Sequence, residues 1–512
     1  MRWIAKAYIL IFFALSNLVF SQFGDLKLKE DYDAYTQQLI SNYKPCTLST
    51  ENDHTVFGDG MAYVLDGYLS MYESTRDKDY LYKFMMQSLC MMENRHDFSG
   101  ISNEPRWGNL TYEEGNINGA FAKYIHFIKV KHKTLDTLKM YPFLEFSNNS
   151  FNTTFNTFGE YANWLSLRVD EALSWFIANG YWNDQWGFLD KPNTTSSLII
   201  NKHIGFARAV LFMGLCGNPE YEAKSKLIES LFFKDVEFYD RHKLKRFKAP
   251  LFIKNDKGAY WWYHYGWTDV RKKRKIRFKW SKGSSSIQKY TSFIEDISHG
   301  GIVALYPLDQ WLNNPKTAFK EQVLSGFHKT FTQNIYDGKG GFYNAVNGTD
   351  NPISDNYCTT CPHNYHAMKS LIYAPYAAFD GVLESDSIYP ILMEYYQSYI
   401  DSSSGLPIGY CCGINYGHAE LVKAQWSIEK FNLSLYNRYL VYDQDFTVKG
   451  GLVIEPEIAT EISFSEPKTD NKTFIIASGV KSNFKASSIN IKSGTQFKAG
   501  SSVHIQTINH EE

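Results

Sequence analysis

Thr291-Ser-Phe-Ile-Glu-Asp-Ile-Ser-His-Gly-Gly-Ile-Val-Ala-Leu-Tyr-Pro-Leu-Asp-Gln-Trp311 is the stretch on which the reading of this chain turns. Ser292 with Glu295 three residues later has the form of a capping box, which predicts a helix opening there. Ile294, Ile297, Gly301, Leu305 and Leu308 then recur at helical spacing as one apolar stripe. Off the stripe, Glu295 and His299 stand at i and i+4, and Asp296 stands three before His299, so two carboxylates flank one imidazole. Gly300-Gly301 is costly inside a helix and signals close approach to the backbone. Two readings of His299 stay open: a site residue, or a buried core histidine beside a tightly packed helix.

Outward from this stretch, from about Asp31 to Tyr436, one theme repeats: helix, short turn, second helix, long aromatic-rich connection. Met61 to Tyr72 and Tyr80 to Met92 read as helices separated by E-S-T-R-D-K-D. Val210 to Cys216 leads into G-N-P-E-Y-E, where Pro219 suits the first turn of the next helix, and Pro315 is expected to play the same part after Leu312. Ser370 to Leu383 and Ile388 to Tyr399 form another pair. The long connections are Asn94 to Asn118, Tyr181 to Asn201, Lys254 to Thr291, Tyr336 to His363 and Asp401 to Tyr416. Long loops in a compact domain carry function more often than short ones. If the hairpins close into a ring, these loops emerge at one end, and His203, His299, His363 and His418 converge on one mouth near helix N-termini that favour an anion. From about Val448 the helical period stops, and short alternating segments punctuated by Gly, Ser and Asn predict a small β module.

The run Gly258-Ala-Tyr-Trp-Trp-Tyr-His-Tyr-Gly-Trp267 is expected to line a cavity, with Trp262 stacking a sugar ring and Tyr263, His264 or Tyr265 near it. Arg95 and Arg106, beside Trp107 in the first long loop, offer bidentate contacts to a carboxylate or sulfate. Cys358-T-T-Cys361-P-His363-N-Tyr365-His366 has zinc-type residues at a spacing that fits zinc poorly, so a disulfide beside site residues His363 and Tyr365 is expected, with no metal or cofactor. Seven cysteines are too few for a disulfide scaffold, and the odd number leaves at least one unpaired within the chain. Lys and Arg total 53 against 54 Asp and Glu, so net charge names no partner, and the basic run Arg271 to Lys279 reads as a solvated loop or an anion-attracting rim rather than a nucleic-acid site. Arg2, Lys6, the apolar Ala7 to Phe20 and Ser21 form an expected signal peptide over residues 1–21, and no later run is long enough to span a membrane. A secreted or periplasmic protein is expected.

The turn Tyr72-E-S-T-R-D-K-D-Tyr80-Leu81, its Asn-Pro counterparts and the helix at Glu295-Asp-Ile-Ser-His299-Gly-Gly resemble (α/α)-toroid carbohydrate-active enzymes, in particular polysaccharide lyases and uronic-acid (ulvan-type) oligosaccharide dehydratases. The resemblance covers roughly residues 30 to 440. It implies a mainly α chain: an (α/α) toroid of six or seven hairpins over residues 22–445, followed by the β module at 446–512. It also implies β-elimination on a uronic acid of an anionic polysaccharide or oligosaccharide, with His299 as base or carboxylate-orienting group and a tyrosine between Tyr260 and Tyr265 as acid. His203 and His264 join these as expected catalytic residues. Arg95, Arg106, Trp107, Trp262, Glu295, Asp296, His363 and Tyr365 are the expected substrate contacts. The alternatives are a glycoside hydrolase using Glu295, Asp296 and Asp59, or a glycan-binding protein without activity.

Overall fold

The computed structural model describes residues 28–41, 56–108, 110–140, 154–193, 199–240, 245–262, 264, 294–350, 363, 367–380, 383, 387–403 and 414–431, with short strands between 446 and 507. The expected signal segment 1–21, Tyr263, Tyr265, Tyr365, the run Arg271 to Lys279 and both cysteine pairs lie outside these residues.

The described chain is mainly helical, and its helices come in sequential pairs. We label residues 28–41 as α1, Ala62–Thr75 as α2, Asp79–Glu93 as α3, Thr111–His126 as α4, Phe158–Phe176 as α5, Ile200–Leu215 as α6 and Pro219–Phe232 as α7. Ile297–Asn313 is α8, Glu321–Lys329 is α9, Ala374–Ala377 (preceded by the 3-10 segment Ala367–Tyr373) is α10, Ile388–Ser403 is α11 and Ile414–Phe431 is α12. Several boundaries follow local chemistry. Asn218 caps α7 by accepting the Glu220 and Tyr221 amides, with Pro219 at the first helical position. Thr157 caps α5 from the Glu160 amide.

Other boundaries correct the sequence reading. Helix α8 begins at Ile297 rather than at Ser292, because Asp296 is its N-cap and accepts the Ser298 and His299 amides. Pro315 lies in the turn before α9, six residues short of Glu321, and does not open that helix. The first long loop ends at Leu110, since Thr111–His126 is already helical. The segment from Ser370 is a 3-10 turn and one short α turn.

Helices α2, α4, α6, α8, the segment Ala367–Ala377 and α12 pack on one another in that order, and α12 packs on α2. Their contacts run in register. Near the starts, Gly58 meets Glu113, Asn201 meets Glu295 and Gly67 meets Asn415. Further along, Arg208 meets both Asp66 and Asp309, and Ser70 donates to Glu420. These helices therefore run parallel, with their first turns at one end. Close approach is built into the sequence: a Cβ added at Gly119 would stand 2.7 Å from the Gly205 carbonyl oxygen, so α4 and α6 touch backbone to backbone. Gly300 and Gly301 are explained the same way, by the Tyr373 hydroxyl and Ile372 pressing on α8. The packing reading of that glycine pair is the one the fold uses.

At the centre of this packing Arg208 bonds Asp309 at 2.6 Å and Asp66 at 2.7 Å, and Lys123 reaches Asp66 at 3.6 Å from α4. The Lys123 ammonium also lies 5.1 Å from the Tyr416 ring centroid on α12. Burial would lift the Asp66 carboxyl, but Arg208 and Lys123 hold it below the usual range. Between 446 and 507 the strands pair in parallel: Phe446–Val448 with Phe474–Ile476, the latter with Gln496–Phe497, Ile462–Phe464 with Ile489–Ile491, and Lys481–Ala486 with Ser502–Thr507. No described helix is long and apolar enough to cross a membrane.

Replacing Arg208 by Met is expected to lower unfolding free energy by about 3–5 kcal/mol, because it leaves two buried carboxylates without their shared cation. Urea midpoints of wild type and Arg208→Met check this. A loss under about 0.5 kcal/mol, the scale of an ordinary surface change, would show that the cluster does not hold the helices together.

Candidate active site

The first turns of α2, α4, α6 and α8 bring together two groups of polar side chains. The first lies at the junction of α6 and α8. Asn201 is in the first turn of α6, and Glu295 and Asp296 precede α8. Glu295 is wholly buried because its strand-like backbone is pinned on both sides, its amide donating to the Trp262 carbonyl and its carbonyl accepting from the Val346 amide. Its carboxylate takes the His264 Nδ1 proton at 2.8 Å and the Asn201 Nδ2 protons at 3.2 and 3.3 Å. An imidazole bonded through Nδ1 to a carboxylate has Nε2 as its basic nitrogen.

His299, one helical position past Ser298, bonds through Nδ1 to Asp296 Oδ2. Burial would depress this imidazole, but Asp296, with help from Glu295, lifts it to about 9, so it is an imidazolium at neutral pH. Burial likewise opposes the Asp296 charge, yet His299 and the Ser298 hydroxyl hold that carboxyl far below its usual range. The two histidine rings stand 5.9 Å apart, edge to face. Two histidine–carboxylate dyads thus sit side by side, one of them an imidazolium–carboxylate ion pair. The His299 side chain is 25% exposed and that of His264 11%, so both are partly accessible to solvent.

The second group comes from α2 and α4. Asp59 sits in the π-helical turn Val56–Met61 ahead of α2, and Glu113 sits in the first turn of α4. The Tyr112 hydroxyl bridges them, 3.2 Å from Asp59 Oδ2 and 3.3 Å from Glu113 Oε1. Lys202 lies 4.4 Å from the Tyr112 ring centroid. Burial first, then the charge of Asp59, pushes the Glu113 carboxyl up to about 7. Burial also raises Asp59, against the Tyr112 hydrogen bond and the charges of His299 and Lys202, so the two groups lie within electrostatic reach of each other.

Other expected residues are placed elsewhere. His203 is on the first turn of α6, at the same end as His299, but it is fully buried. Its Nε2 accepts the Phe188 amide at 2.8 Å, and burial lowers it to about 3, so it is a neutral residue that anchors the 187–188 strand. Trp262 is packed in the core against Phe252 and Phe327, not on a cavity wall. Trp107 is equally buried and donates to the Met91 carbonyl. The buried Arg95 guanidinium is consumed by Asp97, Glu171 and the Arg168 carbonyl, and Arg106 is bound by Glu104 and the Gly108 carbonyl. His363 is clamped between Asp337 at 2.9 Å and Asp350 at 3.0 Å; burial would depress it, but the two carboxylates together raise it, and Asp350 in turn accepts the Asn344 amide next to the α8 start. Glu113 was missed by sequence reasoning because Asn94 to Asn118 read as loop. The signal was present in Thr111-Tyr-Glu-Glu, acidic residues in the first turn of a helix.

Glu295, Asp296 and His299 each offer one ligand atom within 4.8 Å of the others, a grouping that could hold a cation. In the structure Asp296 is hydrogen-bonded to His299, and Glu295 to His264 and Asn201, so a cation there would have to displace the proton that His299 and Asp296 share. Of the cysteines, Cys90 is in a disulfide and Cys216 is free, its thiol pushed up to about 12 by burial. No family model and no curated protein sequence matches the chain.

The His299–Asp296 pair has a pH signature. Asp296 is depressed in the fold, so its contribution is present above the unfolded value of about 3.9 and is lost as pH falls further. His299 is raised, so its contribution is full below the unfolded value of about 6.5 and disappears as pH rises through about 9. Asp296→Asn keeps a competent helix cap. Its stability deficit relative to wild type should be largest near pH 5–6 and shrink by pH 10. A deficit independent of pH would show that the two groups are not an ion pair.

Proposed function

We propose that this chain is an exported six-hairpin (α/α) toroid enzyme that cleaves a uronic-acid-containing polysaccharide or oligosaccharide by β-elimination. The toroid reading is supported by the cyclic packing order of α2, α4, α6, α8, Ala367–Ala377 and α12, each with two such neighbours. The export reading rests on the basic and apolar leader at residues 1–21, and the parallel strands after residue 446 fit a C-terminal accessory module.

The observation that carries the reaction is the pair of adjacent histidine–carboxylate dyads. Elimination from a uronate needs its carboxylate neutralised, so that charge developing at C5 can be delocalised, and a base for the C5 proton. Protonated His299 has the charge for the first task. His264, oriented by Glu295, has the tautomer for the second. This divides the roles: His299 orients the carboxylate, and the base is His264. The tyrosines at 263 and 265 stay candidates for proton donation from outside the described residues.

A glycoside hydrolase is the second reading, favoured by the Asp59–Glu113 carboxyl pair, in which one member is held protonated near neutral pH. Product chemistry separates the two, because elimination leaves an ultraviolet-absorbing unsaturated uronate and hydrolysis does not. A panel of uronate glycans assayed by absorbance tests the proposal, and new reducing ends without absorbance would overturn it.

His264→Ala and His299→Ala should each lower turnover by about 10²-fold or more, the usual scale for a positioned acid, base or charge partner. The need for protonated His299 should add a loss of wild-type activity as pH rises through about 9. Rate and melting temperature measured on the same preparations decide the outcome. Variants with lowered stability but wild-type turnover would mean that these histidines only support the fold.

A further inference from the structure

The elimination assigned above also needs a proton for the departing oxygen, and the wall formed by α2 and α4 carries one. We propose that Glu113 is the general acid of this site, donating its proton to the oxygen that leaves C4, with Asp59 and Tyr112 as positioning residues. The assignment rests on the elimination reading.

Three features of the wall support it. Glu113 is brought in by backbone contact: a Cβ on Gly58 would stand 2.5 Å from the Glu113 Cβ, so only glycine at 58 lets the first turn of α4 come this close. Its neighbour Glu114, which burial raises to about 8, differs in being tied into the backbone, since one oxygen accepts the Trp107 and Gly108 amides, each at 2.8 Å. Among the described residues Glu113 has no such backbone donors, and its hydrogen-bond partner is the Tyr112 hydroxyl, shared with Asp59. Asp59 in turn lies within electrostatic reach of His299 and Lys202, which ties this wall to the His299–Asp296 pair. Burial and Asp59 raise the Glu113 carboxyl to about 7, working against the Tyr112 hydrogen bond and Lys202, so a transferable proton is present near neutrality.

The step balances without a further reactant. His264 takes the C5 proton and the C4–C5 double bond forms. The C4–O bond breaks with its electron pair on oxygen, and that oxygen takes the Glu113 proton; water later returns a proton to Glu113 and removes one from His264.

The test uses methyl hexuronate glycosides, as both C5 epimers, carrying at O4 either a second sugar or a 4-nitrophenyl group. A sugar alkoxide must be protonated to leave, whereas nitrophenolate need not be. Glu113→Gln is expected to lose about 10²-fold or more on the sugar probe and to stay within about threefold of wild type on the nitrophenyl probe. Equal losses on both probes, or none, would overturn the assignment, as would the same selectivity in Tyr263→Phe or Tyr265→Phe instead. If Glu113→Gln does not fold, Asp59→Asn takes its place: the basic limb of the sugar-probe pH profile should move down, while the nitrophenyl profile stays put. A limb that does not move overturns the proposal, since Asp59 then has no hold on the group that titrates. Absence of the unsaturated product from wild type with both probes overturns the elimination reading itself.

Discussion

The Arg208 guanidinium, held between Asp66 and Asp309, is the contact on which the rest of this structure depends. It joins α2, α6 and α8, and Lys123 and Tyr416 extend the same cluster to α4 and α12. Charges this deep are tolerated only when every member is paired. The consequence is register: each of these parallel helices is fixed at one point along its length against its neighbours, which sets where its start stands relative to theirs.

Close backbone approach does the complementary work. Gly58, Gly67, Gly119 and Gly205 let neighbouring helices come nearer than any side chain would allow. At the mouth, that nearness is what lets Glu113 lean against the turn bearing Asp59, and Asn201 reach Glu295. Each helix start then supplies one or two polar side chains, and the electrostatics follow from crowding them in a place with little water. Carboxyls lacking a cation are pushed toward protonation, as Glu113 is, while carboxyls paired with imidazole stay charged and hold the imidazole charged as well.

Histidines in nearly identical sequence settings meet different fates for this reason. His203 and His299 both occupy first turns of parallel helices at one end. Yet His203 faces the 187–188 strand in a dry pocket and stays neutral, whereas His299 faces its own N-cap carboxylate and is cationic. His418, likewise on the first turn of α12, is buried against Tyr396 and the Leu28 carbonyl and lowered to about 4 by burial. A first-turn histidine is therefore not a site residue by position, and the carboxylate beside it decides.

The sequence by itself determined what depends on neighbours within a few residues. The helical pairs, the turn after Thr75, the start of α7 at Pro219 and the placing of Asp296 beside His299 are set by caps, breakers and a 3.6-residue period, all local effects. Only the tertiary structure decided whatever depends on residues far apart in the chain. Glu295 finds His264 from thirty-one residues away and Asn201 from ninety-four. Trp262 and Trp107 fell into the core because aromatic rings bury large areas wherever packing allows, and no local pattern distinguishes a ring that stacks a ligand from one that packs edge to face on Phe327. Arg95 was taken by Glu171, a residue seventy-six positions on. Glu113 was legible as an acidic first turn but not as an acid, because its proton is held by burial and by Asp59, and both come from the packing of α2 against α4.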